Sequence, residues 1–231
     1  MKANDARIQA VRNNASFIST LAHLNHPLMQ AVRNDLASMQ SNTWHLNRLY
    51  PDLRTVVNYY IDMPDVLEQL QRDVRRIDVG INGVTIQQQP GVEPFFLFQH
   101  DTLSVPMVLQ GESAGTQHFM VMFPMIHYML QSGQSGVYDE FDADLHPDLV
   151  RELLGWFHSH ERNPIGAQIF LTMHNVAALQ DLEKEEVFLV EKSLEGATTI
   201  YGAQDVEGLR RDVSLERKYR SGALGALPNI G

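Results

Sequence analysis

The chain has 231 residues, 44% of them hydrophobic, which suits one large domain or a domain with an inserted lobe. It contains no cysteine, which excludes disulfides, cysteine zinc sites and cysteine nucleophiles, and a reducing cytoplasm suits such a composition. The formal net charge is −10, from 18 Lys+Arg against 28 Asp+Glu, and this argues against strong nucleic-acid binding by the chain alone, because such binders carry a basic surplus or stripe.

In chain order, the N-terminus shows no apolar signal region behind its charges. Residues 1–80 read as helical, an insertion or arm. Leu28, Val32, Leu36 and Met39 recur at helical spacing behind Pro27, and Val66, Leu67, Leu70 and Val74 do so behind Pro64. Arg72, Arg75 and Arg76 make no basic stripe, because Asp73 and Asp78 sit among them. Residues 81–108 change period: Ile81, Val84 and Ile86, then Phe95 to Phe98, suggest short strands separated by Pro90, Gly91 and Pro94. Residues 105–108 form an expected edge strand.

From residue 109 helices and strands alternate. Residues 116–130 predict a strongly apolar helix kinked at Pro124. Its run 119–130 is too short to span a membrane and carries His127, so no membrane partner is expected. Residues 136–139 predict a strand and 147–157 an amphipathic helix that starts at a proline. Residues 168–172 read as a buried strand, 175–182 as a short helix, and 187–190 with 198–201 as two strands joined at Glu195-Gly196. Arg210-Arg211 and residues 217–220 are the remaining basic groups, flanked by Asp212 and Glu216. The alternation argues for an α/β layered core.

Three segments carry chemistry. Asp139-Glu140 ends a strand, and the carboxyl edge of an open α/β sheet is where such sheets bind ligands. An acidic pair there can hold a metal and activate water, or be a solvated loop. His174 follows a second strand, where an imidazole can meet a phosphate or serve the structure alone. Glu112-Ser113-Ala114-Gly115-Thr116 leads into the apolar helix, and such a turn suits either an anion or plain capping by Ser113 or Thr116. His158-Ser159-His160-Glu161 has no metalloprotease spacing and reads as a surface loop. His23, His26, His45 and His100 share no spacing, and no Gly-x-Ser-x-Gly elbow occurs.

The order of these segments resembles the OLD-like, ABC-class AAA ATPases. In that resemblance Glu112 to Thr116 match the signature motif, Asp139 and Glu140 the Walker B pair, Asp144 to Pro147 the D-loop, and His174 the switch histidine. The likeness continues through residues 188–192, Gly196-Ala197, and Tyr219, Gly222, Gly225, Ala226 and Pro228. It reaches upstream through residues 77–81, which include Val79, and through Asn14-Ala15-Ser16.

The resemblance implies an ABC-type ATPase head, a partial P-loop NTPase-like layered sheet, with residues 81–231 as the C-terminal part of the core and 1–80 as the helical insertion. It implies ATP and Mg²⁺ as cofactors. Asp139 would hold the metal, Glu140 would be the general base, and His174 would sense the γ-phosphate. In a homodimer Ser113 and Gly115 would meet the γ-phosphate of the partner's nucleotide, with Asp144 and His146 beside them.

The sequence departs from the family pattern in three ways. No Gly-x-x-x-x-Gly-Lys-Ser/Thr occurs, and the dipeptide Gly-Lys is absent, so a Walker A loop would come from elsewhere, including a partner chain. Ser135 and Gly136 interrupt what should be an apolar strand. A Toprim-like nuclease region, attached to some OLD proteins, is not expected after the core. The alternatives are a non-catalytic truncated ATPase fragment or interaction module, and a metal-dependent nuclease using Asp139, Glu140 and His174.

Overall fold

The computed structural model describes residues 11, 15–44, 47–48, 51–78, 80–193, 195–210 and 213–227. The N-terminal segment read above, with Asn14, His45, Val79, Arg211, Asp212 and Pro228, lies outside the described residues.

Among the described residues two short helices come first, α1 (Phe17–His23) and α2 (Pro27–Ala37). Ser16 caps α1 by accepting from Ser19 N at 3.3 Å, and Pro27 opens α2, where its missing N–H costs nothing. The stretch read as helical then carries three two-residue strands, β1 (Gln40–Ser41), β2 (Thr43–Trp44) and β3 (Asn47–Arg48). Helices α3 (Leu53–Asp62) and α4 (Pro64–Ile77) follow, the first capped by Asp52 through Thr55 N.

Strands β4 (Ile81–Gln89), β5 (Val92–His100) and β6 (Met107–Val108) form an antiparallel sheet in that order. Pro94 lies inside β5 and does not separate two strands. The register slips beside it, between Gln87↔Phe95 and Gln89↔Val92, and an irregular ladder tolerates a residue that cannot donate.

Helix α5 (Ala114–Ser132) is the apolar helix expected, with Pro124 inside it and Gly133 ending it at φ 69°. It leads into β7 (Ser135–Tyr138), followed by α6 (Pro147–His158) and β8 (Gln168–Leu171). The segment 176–180 is a 3-10 turn started by Asn175, not an α-helix. Strands β9 (Phe188–Lys192) and β10 (Thr198–Gly202) pair as an antiparallel hairpin, and α7 (Leu215–Arg220) closes the described chain.

The sheet that carries the acidic pair is parallel, in the order β1-β7-β8. The fold class is therefore α/β, a parallel sheet with helices. One core packs α3, α4, β4, β5, α5, β7 and α6 through residues such as Val57, Leu70, Val84, Phe98, Phe123, Tyr138 and Leu153. A second cluster, with Leu179, Leu189, Ala203, Leu215 and Leu224, lies under the β9–β10 hairpin. No helix among the described residues is long and apolar enough to cross a membrane.

Two readings of strand interiors change. Residues 168–172 do not form a buried strand: among the described residues β8 is an edge strand, and Phe170 is 56% exposed. Ser135 and Gly136 do not interrupt β7 but belong to it. Gly136 is required by close approach, because a Cβ there would overlap Met129 Sδ and come within 2.9 Å of Tyr138 Cε2.

Candidate functional site

Asp139 follows the last residue of the middle strand, β7. Two neighbours hold it. On the β1 side, the fully buried Asn42 donates through Nδ2 to Asp139 O at 2.9 Å and accepts from Asp139 N on Oδ1 at 2.8 Å. Its own N–H reaches Val137 O at 3.3 Å. The side chain thus continues the ladder after the strand has ended, meeting both backbone groups that would otherwise be orphaned.

On the β8 side Thr172 donates its hydroxyl to Asp139 Oδ1 at 2.6 Å and accepts from Glu140 N at 2.8 Å. Thr172 N reaches Tyr138 O at 2.9 Å, and Thr172 O receives Phe141 N at 3.0 Å. One rung further out, Asp142 Oδ2 accepts from His174 N at 2.8 Å. The loops after β7 and β8 are therefore tied together, and they bring Asp139, Glu140 and His174 to one edge of the sheet. The strand itself ends at Leu171, three residues before His174. Asp139 and Glu140 are half-buried and His174 is exposed.

The loop from Asp139 to His146 is fixed by two apolar anchors, Phe141 and Leu145, both buried. Phe141 meets Tyr138 edge-on at 6.1 Å. Glu140 (φ 47°) and Asp144 (φ 61°) take left-handed backbone, which costs a non-glycine residue roughly 1–2 kcal/mol. Such strain is held in place by the anchors and by Thr172.

Ser113, Gly115, Asp144 and His146 form a second group. Ser113 Oγ caps α5 by accepting from Thr116 N at 3.1 Å, and Thr116 Oγ1 donates to Asp78 Oδ2 at 2.7 Å. A Cβ on Gly115 would lie 2.8 Å from Asp144 O, so glycine is needed where the turn meets the Asp144 backbone. His146 caps α6, its Nδ1 accepting from Asp148 N at 3.2 Å. Ser113, Gly115 and His146 line one cleft of about 510 Å³, together with Arg76, Asp78 and Glu152. The buried Glu112, one residue before the turn, pairs with His100 at the end of β5 at 2.8 Å.

Asp139 offers a half-buried carboxylate with a threonine hydroxyl beside it. Hard oxygen donors of this kind fit Mg²⁺, which takes one or two carboxylates and leaves its other positions to water and phosphate. No group of three or more His, Asp or Glu side chains able to cage a metal occurs among the described residues, and a metal that arrives with phosphate needs none. No pair of consecutive Gly-Lys residues exists in the sequence to grip the phosphates themselves.

Sequence reasoning missed Asn42 and Thr172. Asn42 stands in a stretch read as helical and carried no signal. Thr172 stands two residues before His174, and its hydroxyl at a strand end was the available clue.

The family described as AAA domain, putative AbiEii toxin, Type IV TA system matches residues 4–180, more than half of the chain, and this span contains every residue of both groups. No curated protein matches the chain. Among solved structures it is similar to one described as "Structural biochemistry of ATP-driven dimerization and DNA stimulated activation of SMC ATPases", with a TM-score of 0.47 and 10% identity. That similarity covers 64% of this chain and 88% of the other.

Proposed function

This chain belongs to the AAA-domain family matched by residues 4–180, and on that premise we propose that it is the hydrolytic and dimer-signature part of an OLD-like, ABC-class ATPase. The observation that carries the reading is the pair of tied loops at the carboxyl edge of adjacent parallel strands, with Asp139 and Glu140 on one and His174 on the other.

Mg²⁺ bound with ATP would neutralise charge on the phosphate oxygens. Asp139 is the residue to hold it. Glu140 would orient and deprotonate the attacking water, and Thr172 fixes its backbone. His174 would meet the γ-phosphate. Ser113 and Gly115, with Asp144 and His146, meet the nucleotide of a second subunit. The phosphate cradle comes from a P-loop lobe, supplied by further polypeptide or by a partner chain. The outer edge of β8, unpaired among the described residues and exposing Phe170, is its landing place.

The test supplies a P-loop lobe from a related ATPase, fused or as a separate chain, and follows phosphate release from Mg-ATP. Turnover appears on addition, and Glu140→Gln lowers it by about 10²–10⁴-fold while ATP is retained. The present chain without the lobe binds Mg-ATP weakly, and sub-micromolar affinity by calorimetry would refute that. The absence of Gly-Lys favours one other reading, a non-catalytic interaction module. An assembled complex that binds ATP and never hydrolyses it supports that reading over the first.

A further inference from the structure

We infer that Thr172 is the positioning residue of the acidic pair, the group through which the β8 loop sets both the carboxylate of Asp139 and the backbone of Glu140. This rests on the assignment of Asp139 and Glu140 above and adds a residue that the motifs do not contain.

A threonine hydroxyl has one proton to give and two lone pairs to receive with. Here both capacities are spent on the acidic pair. The proton goes to Asp139 Oδ1 at 2.6 Å, the usual length for a hydroxyl donating to a carboxylate, and Glu140 N–H is received at 2.8 Å. The two bonds constrain different things. The first fixes which way one carboxylate oxygen of Asp139 points. The second holds Glu140 at φ 47°, a conformation its own side chain disfavours.

The Thr172 backbone is itself immobilised by Tyr138 O and Phe141 N, so the hydroxyl is presented from a fixed base and not from a free loop. Asn42 grips the backbone of Asp139 from the opposite side and so supports the turn. Thr172 joins the metal-side acid to the base, and it sits two residues before His174, whose N–H is tied back to Asp142. A shift of the β8 loop would therefore move all three groups together.

The first experiment uses the full chain without nucleotide. Amide hydrogen exchange at Glu140 is measured by NMR in wild type, Thr172→Val and Thr172→Ser. Valine keeps the shape and removes the hydroxyl, so Glu140 exchange quickens by about tenfold or more, while serine keeps it at the wild-type rate. Equal protection in all three variants overturns the inference, as does a serine variant that behaves like valine.

The second experiment measures steady-state phosphate release by the P-loop-complemented enzyme. Thr172→Val lowers kcat about tenfold or more with KM unchanged, and Thr172→Ser restores it. A valine variant with normal kcat, beside an inactive Glu140→Gln, overturns the positioning role and leaves the catalytic assignment intact. An active Glu140→Gln overturns the catalytic assignment, and the exchange measurement still decides whether Thr172 holds the turn.

Discussion

Replacing Gly136 with alanine puts one methyl group where the core has no room. The residue is buried in β7, three positions before Asp139. The added Cβ would overlap Met129 Sδ, lie 2.9 Å from Tyr138 Cε2 and 3.2 Å from Met129 Cε. A methionine can often swing aside, but Met129 is 0% exposed and Tyr138 only 1%, so any retreat displaces a packed neighbour. Overpacking of this kind costs about 1–3 kcal/mol. For a chain of this length that corresponds to a fall in Tm of roughly 2–4 °C per kcal/mol.

The assay is urea unfolding of wild type, Gly136→Ala, Met129→Ala and the double variant. Met129→Ala alone costs about 2–5 kcal/mol through the cavity it leaves. In that background the new methyl has space, so Gly136→Ala costs less there, with a coupling of roughly 0.5–3 kcal/mol. An unchanged urea midpoint for Gly136→Ala, or the same cost in both backgrounds, would refute the argument that Met129 forbids a side chain at this position.

Three other outcomes are expected. Asp73 is 1% exposed and receives Arg162 twice, at 2.8 and 2.6 Å, with the guanidinium 4.5 Å over the Trp156 ring; Arg162→Ala therefore costs about 3–5 kcal/mol by urea unfolding, and Asp73→Leu with Arg162→Met costs less than the single change. Burial holds the His127 imidazole below its usual pKa, Arg162 adding to the effect and Asp73 opposing it. A depressed histidine contributes stability that is complete above the unfolded value, about 6.5, and is lost as pH falls below it. The urea midpoint should thus drop between pH 7.5 and 5.5 in wild type and stay flatter in His127→Leu. Ser113→Ala removes the α5 cap and costs about 0.5–2 kcal/mol, whereas Ser113→Arg in the P-loop-complemented enzyme blocks dimer formation and turnover; a Ser113→Arg monomer that hydrolyses ATP normally would sink the trans assignment.

Much of this was legible in the residues themselves. The apolar helix ahead of β7, the proline-started α6, the strand before Asp139-Glu140 and the capping turn at Ser113 all depend on patterns within a few positions of each other. Local sequence specifies such features because propensity, capping and periodicity act over one or two turns of chain. What the tertiary structure decided lies at long range. Gln40–Ser41, in a stretch that reads as helical, became an edge of the parallel sheet, and Asn42 grips the Asp139 backbone across 97 positions of sequence. Gly136 looked like a weakness until Met129 was found occupying the place of its side chain. The run 168–172 looked buried because it is apolar, but the order β1-β7-β8 leaves it at an edge. Burial and pairing are properties of what the fold brings alongside a segment, and no periodicity inside that segment records its neighbours.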